Sequence, residues 1–156
     1  HNAGVRGNTT ADGRARFVAD VLDRRPAIAI IQFGINDAAV DVWRQPPATG
    51  SRVSREQYAG NLAGFVGALH RQGCAVIFMT PNPLRWTPQL KALYGRPPYQ
   101  PDDPDGFNVM LRAYVDTVRT IARTRSLRSA AASILGASSR SHCSERGWKL
   151  PLMHRM

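Results

Sequence analysis

Two short apolar runs, Ala27–Phe33 and Cys74–Thr80, alternate along the chain with stretches whose apolar residues recur at helical spacing. Each run is bounded by turn formers, and each reads as a buried, parallel strand. Between Asp12 and Arg24, the residues Phe17, Val18, Val21 and Leu22 form one apolar stripe, which predicts an amphipathic helix. Arg24, Arg25 and Pro26 close it, with cations at the negative end of the dipole and proline as the stop. Ser54 opens a second helix, and Gln57 three residues on completes a capping-box pair. Tyr58, Leu62, Phe65, Val66 and Leu69 supply its buried stripe, and Gly73 its C-terminal cap. A third helix is expected from Asp105 or Gly106 to about Arg123, with Val109, Leu111, Tyr114, Val115, Val118 and Ile121 inward.

The alternation of helix and strand is that of βαβ units, so the fold class is α/β around a parallel sheet. Residues 38–53 and 87–104 read as long loops, the second carrying five prolines. Loops of that length in a compact domain are usually functional or mobile. Trp43 in the first either lines a pocket or covers the core, and covering is the reading adopted here. The first strand runs into Gly34-Ile35-Asn36-Asp37, which delivers an amide and a carboxylate to the carboxyl edge of the sheet. Ligands bind at that edge in open α/β sheets. Upstream, residues 2–10 hold Gly4 and Gly7 three apart. They form either a close-approach loop for a ligand or an ordinary turn capped by Thr9 or Thr10.

From Thr124 the periodicity stops. Residues 124–156 carry seven serines, five arginines and a single acid, Glu145. The α/β alternation calls for another β-branched strand there, and none is present. Two explanations stand: a basic tail of low order, or a shifted reading frame, which we favour. The domain is therefore placed at 1–123 and the tail at 124–156. The sequence also begins at His1 inside a motif-like segment, and is expected to be a piece of a longer protein.

Composition adds limits. With 156 residues and 43% apolar content, the chain can bury one core, and no apolar run reaches the length of a membrane span. Half of the formal net charge of +10 lies in the tail, and no basic stripe with interleaved aromatics stands out, so no nucleic-acid partner is expected. Cys74 and Cys143 make no disulfide framework, Cys74 reads as a buried inert thiol, and no Cys/His group has metal-ligand spacing.

Asn2-Ala3-Gly4-Val5-Arg6-Gly7-Asn8-Thr9 and Gly34-Ile35-Asn36-Asp37 together resemble the second and third sequence blocks of the SGNH hydrolases, the GDSL-like esterases and lipases. Strand 74–80 running into Thr80-Pro81-Asn82-Pro83 is similar to that family's next strand and loop. The resemblance covers about residues 1–123. It implies a three-layer α/β/α sandwich with a flavodoxin-like parallel sheet, here incomplete. It also implies that the Gly7 backbone N–H and the Asn36 side chain form an oxyanion hole, with Asp37 bracing the loop. Acyl transfer places negative charge on a carbonyl oxygen, and preorganised donors there are worth about 3–4 kcal/mol each.

Two blocks of the family have no counterpart. Its nucleophile lies in Gly-Asp-Ser upstream of the second block, and Ser51, preceded by Gly50 alone, does not match it. Its base lies in Asp-x-x-His, whereas Gly67, Ser139 and Pro151 precede His70, His142 and His154 by three residues. The expected activity is that of a serine esterase acting through an acyl-enzyme, inactive as written, on an acylated sugar, lipid or thioester, without metal or other cofactor. The alternative is a non-catalytic carbohydrate- or anion-binding module using loops 38–53 and 81–104. An incomplete sheet also predicts self-association through its open edges.

Overall fold

The Ser54–Gln57 pair forms a complete capping box, each side chain bonded to the other's backbone N–H, and the helix it opens runs Arg55–Arg71. This helix is α3 of a computed structural model that describes the backbone of residues 1–138 and the side chains of residues 1–124. The remaining elements are α1 (Thr10–Asp20), a 3-10 turn (Leu22–Arg24), β1 (Ile28–Ile31), α2 (Ile35–Ala38), β2 (Ala75–Phe78), α4 (Pro88–Tyr94) and α5 (Leu111–Ser138). Residues 1–125 form one compact unit.

β1 and β2 pair in parallel, Ile28 opposite Ala75 and Ile31 opposite Phe78. Both strands are shorter than the apolar runs that encode them, and they are covered on one face. Ala29, Ile31, Val76 and Phe78 turn into a core built from Phe17 of α1, Tyr58, Leu62, Phe65 and Leu69 of α3, and Leu111, Tyr114 and Val118 of α5. On the opposite face Ile28, Ile30 and Ile77 are 60%, 65% and 50% exposed. The expectation of fully buried strands is therefore corrected: of the core-facing residues only Ile31 is buried, and Ala29, Val76 and Phe78 are half-buried. An unbroken apolar run does not report how many faces are covered, because both faces read alike. Among the described residues the helices contribute to the core on one face, so two of the expected three layers are in place.

A second cluster holds Val40, Val42, Tyr99 and Phe107, flanked by Leu84, Trp86, Leu90 and Tyr94. It ties together the two long loops. The Tyr99 hydroxyl accepts the Val40 N–H at 2.8 Å, and the Asn108 side chain bonds both the N–H and the carbonyl of Leu84, each at 2.8 Å. Phe107 and Asn108 are thus committed to this cluster, and the last helix starts at Leu111 rather than at Asp105 or Gly106. It continues to Ser138, past the expected end near Arg123. Of the stretch 124–156 read as a tail, residues 139–156 lie outside the described residues. Within the loop 87–104, α4 forms because Thr87 caps Leu90 and Pro88 takes the first helical position. Trp43 belongs to neither cluster. It is 43% exposed and donates its indole N–H to the Tyr94 hydroxyl. Cys74 is buried, and burial pushes its thiol pKa up, as an inert core residue requires.

Candidate functional site

Gly7 lies in the turn just before α1, at φ +84°, with open space where a Cβ would stand. A positive φ of this kind is cheap for glycine and strained for other residues. The turn is held from two sides. Asn2 accepts the Gly4 N–H at 2.8 Å. Arg16, one helical turn and more into α1, donates to the Ala3 carbonyl at 2.7 Å and to the Asn8 side chain at 3.1 Å. Thr9 then caps α1, with Asp12 returning a bond to the Thr9 N–H at 2.8 Å. The Thr9 bonds hold the Asp12 carboxyl below the usual aspartate range. Among the described residues no backbone carbonyl accepts the Gly7 N–H, which leaves it directed to a ligand or to solvent.

Asn36 stands in α2, directly after β1. Gly34, at φ +130°, makes the bend between them. A Cβ there would lie 3.1 Å from both the Pro81 ring and the Tyr58 hydroxyl, which itself donates to the Phe33 carbonyl at 2.9 Å. Gly34→Ala is expected to cost about 2 kcal/mol of stability from the left-handed backbone and this crowding. Urea unfolding monitored by circular dichroism reads it; an unchanged midpoint would mean the bend tolerates a side chain.

Two contacts bring the separate sequence blocks together. The Asn36 Nδ2 donates to the Asn8 carbonyl at 3.1 Å. Asp37, wholly buried, accepts the Thr10 N–H at 2.8 Å and the Thr10 hydroxyl at 2.5 Å through the same oxygen. The Thr10 hydroxyl also accepts from Asn61 of α3 at 3.1 Å. The second Asp37 oxygen has no hydrogen-bond partner. Burial therefore raises the Asp37 pKa above its ordinary value, against the lowering effect of the Thr10 bonds.

Gly7 and Asn36 line one cleft of about 810 Å³, together with Asn8, Gly34, all of β1, Phe17 and Phe65 of the core, and Met79. On its other side Asn36 borders a smaller pocket of about 210 Å³, with Arg52, Tyr94, Tyr99 and Phe107. The first cleft offers two uncharged donors at the N-terminus of α1, where the helix dipole favours negative charge. That arrangement suits stabilisation of an oxyanion. No cluster of three or more potential metal ligands occurs among the described residues.

The other sequence candidates fall elsewhere. The Ser51 hydroxyl donates to the Ala38 carbonyl at 3.2 Å, and Ser54 is engaged as the α3 cap. His70 is exposed on α3, and His142 and His154 lie outside the described residues. Sequence reasoning missed Arg16, which bonds the first loop segment, Arg52, which bonds the second, and Thr10, which joins the two through Asp37. The helical spacing of Arg16 and Asp20, paired at i,i+4, was a visible signal for the first.

The GDSL-like Lipase/Acylhydrolase family matches residues 1–153. An uncharacterized lipoprotein of Bacillus subtilis, YqeF, is 41% identical over 83 residues, which are 53% of this chain and 32% of that protein. An acetylxylan esterase of Geobacillus stearothermophilus is 35% identical over 83 residues, 51% of this chain and 36% of that protein. The crystal structure of a catalytic mutant of Axe2, an acetylxylan esterase from Geobacillus stearothermophilus, matches with a TM-score of 0.60 at 25% identity. The match covers 80% of this chain and 50% of that one. The chain thus spans about a third of the curated relatives and half of the solved one. No helix among the described residues is long and apolar enough to cross a membrane. By its extended family match and its α/β fold, the chain belongs to the GDSL-like lipase/acylhydrolase family.

Proposed function

We propose that residues 1–156 carry the oxyanion-stabilising half of a serine ester hydrolase. The Gly7 N–H and the Asn36 amide bind the carbonyl oxygen of the ester and hold it more strongly as it becomes an oxyanion. A serine forms the acyl-enzyme and a histidine relays its proton, both from outside these residues. The observation that carries the reading is the joining of the two distant blocks by Asn36–Asn8, which lines the cleft, and by the buried Asp37–Thr10 pair. An amide suits the task because it donates without ionising. The preferred substrate class is an acetylated or otherwise acylated sugar, in keeping with the acetylxylan esterase relative. Acyl lipids and thioesters are the other esters this chemistry serves.

The test is hydrolysis of p-nitrophenyl acetate and of acetylated xylo-oligosaccharides. Residues 1–156 alone should give no turnover, whereas the longer protein that contains them should. Turnover by the 156 residues that disappears in Asn36→Ala would overturn the incomplete-machinery reading. Saturable sugar binding by a longer protein that never hydrolyses an ester would favour a binding module instead.

The same incompleteness bears on association. Ile28, Ile30 and Ile77 form an exposed apolar face on a two-stranded sheet, and Val5, Val18 and Met79 are also exposed. We propose that this chain self-associates through that sheet. Sedimentation velocity should show oligomers that shift toward monomer in Ile30→Lys; a wild-type monomer with a cooperative melt would contradict it.

A further inference from the structure

We propose that Arg52 is a positioning residue for Asn36: its guanidinium, anchored by Asp41, fixes the Asn36 amide so that Nδ2 faces the cleft. This goes beyond the oxyanion assignment and rests on it.

An asparagine amide has two ends of similar shape and opposite function. With Nδ2 toward an oxyanion it stabilises the negative charge; flipped, its oxygen repels it. Something must choose, and the two neighbours of Asn36 choose alike. The Asn8 carbonyl can only accept, and takes a bond from Nδ2 at 3.1 Å. The Arg52 guanidinium can only donate, and its Nη1 gives a bond to Oδ1 at 3.4 Å. A flipped amide would face a carbonyl with its oxygen and a cation with its NH₂, losing both contacts. The second hydrogen on Nδ2 stays free for a ligand.

Arg52 is itself held firmly. Its Nε lies 3.1 Å from both Asp41 oxygens, and its Nη2 lies 2.7 Å from one of them. The Asp41 carboxylate is buried, at 3% side-chain exposure. Nη1 is therefore the guanidinium nitrogen left over for Asn36. The backbone sets the same alignment. The Arg52 N–H bonds the Ala39 carbonyl at 2.9 Å, and the Val53 N–H bonds the Asp37 carbonyl at 3.1 Å. These bonds fold the end of loop 38–53 back against the segment that carries Asn36.

Charge gives the arrangement a second effect. Arg44 also pairs with Asp41, at 2.9 Å, so two guanidinium groups share one carboxylate. A positive charge remains behind the Asn36 carbonyl oxygen. It polarises the amide and makes its N–H the stronger donor, as charged partners do in hydrogen-bonded chains.

The experiment follows the Asn36 side-chain NH₂ signals in ¹⁵N-labelled protein, identified by their loss in Asn36→Ala. In Arg52→Met these signals should shift toward ordinary side-chain amides and exchange with water about tenfold faster. Arg52→Lys should fall between, and Arg44→Met, which removes the surplus charge but leaves the Arg52–Asn36 bond, should shift them less than Arg52→Met does. Unchanged Asn36 signals in folded Arg52→Met would overturn the proposal. So would equal perturbation of every amide in loop 38–53, which marks a merely structural role. If Arg52→Met does not fold, Arg52→Lys decides by the same criterion. The kinetic counterpart is a double-mutant cycle in the ester-hydrolysing protein. Arg52→Met should lower kcat about tenfold with KM little changed, and have no further effect once Asn36 is alanine. Additive losses would refute coupling through Asn36. An Asn36→Ala variant that keeps full activity would instead refute the oxyanion assignment, leaving the amide measurement to judge Arg52.

Discussion

Asn36→Ala should lower kcat for ester hydrolysis by about 10²–10³-fold while KM moves little, in the protein that contains these residues and its nucleophile. The reasoning starts from where charge appears. A ground-state ester carbonyl carries a partial negative charge, and the tetrahedral intermediate carries a full one. A donor already fixed in space gains strength as that charge develops, so its removal falls on the rate and spares binding. Asn36 meets the condition of being fixed, since Asn8 and Arg52 hold its two ends. Asn36→Asp should be worse than alanine above the carboxyl pKa, because it presents a like charge to the oxyanion. The Gly7 N–H remains in both variants, so activity should fall without vanishing. Steady-state kinetics on an acetyl ester checks this. Equal losses in kcat/KM through KM alone would place Asn36 in ground-state binding, outside the oxyanion hole.

The two halves of this site differ in how far they are written into the sequence. Gly7 and Asn36 stand out because each sits in a short block whose spacing resembles a known family. The brace between them does not stand out. Asp37 was expected to steady the loop, yet its partner Thr10 lies 27 residues away and looks like an alternative helix cap. Thr9 takes the cap, and Thr10 is thereby free to bond Asp37. Arg52 is harder still. An arginine between serine and valine in a proline- and glycine-rich loop reads as a solvated charge. Its meaning depends on the loop closing back on residues 37–39, which no local pattern announces.

The elements show a similar division. Helix α3 is legible end to end, because a capping box, one apolar stripe and a terminal glycine all act within a few residues. Helix α4 had a local signal, Thr87-Pro88, that the surrounding prolines obscured. The start of α5 had none, because Phe107 and Asn108 are claimed by contacts with Tyr99, Trp86 and Leu84.

Asp37→Ala should destabilise the fold by about 2–4 kcal/mol, because it strips a buried backbone N–H of its acceptor and deprives the Thr10 hydroxyl of its own. That corresponds to a fall of about 5–10 °C in the thermal midpoint. The more informative variant is Asp37→Asn, which keeps an acceptor oxygen and cannot ionise. Burial raises the Asp37 pKa in the folded state above that of the unfolded chain. The native protein therefore takes up this proton before the unfolded chain does, and gains stability as pH falls through the raised value toward the unfolded one. That gain is fully present below the unfolded aspartate pKa and is lost as pH rises through the folded one. Asp41 acts in the opposite sense. Hydrogen bonds from Arg52 hold its pKa down, so its contribution is present above the unfolded value and lost as pH falls through the folded one. The two carboxylates thus titrate on opposite sides of the ordinary aspartate pKa. Thermal melts of wild type and Asp37→Asn from pH 7 downward should separate them. The wild-type midpoint should gain on the variant as acidity increases, until pH passes below the unfolded aspartate pKa; loss of the Asp41 and Asp12 charges then lowers both midpoints alike. A constant gap would mean that Asp37 titrates normally and that its unpartnered oxygen is satisfied in solution. The same comparison has a catalytic side, because Asp37 fixes Thr10, and Thr10 begins the helix whose preceding turn carries Gly7. A variant that melts like wild type yet hydrolyses esters more slowly would show the brace acting on the oxyanion hole rather than on the fold.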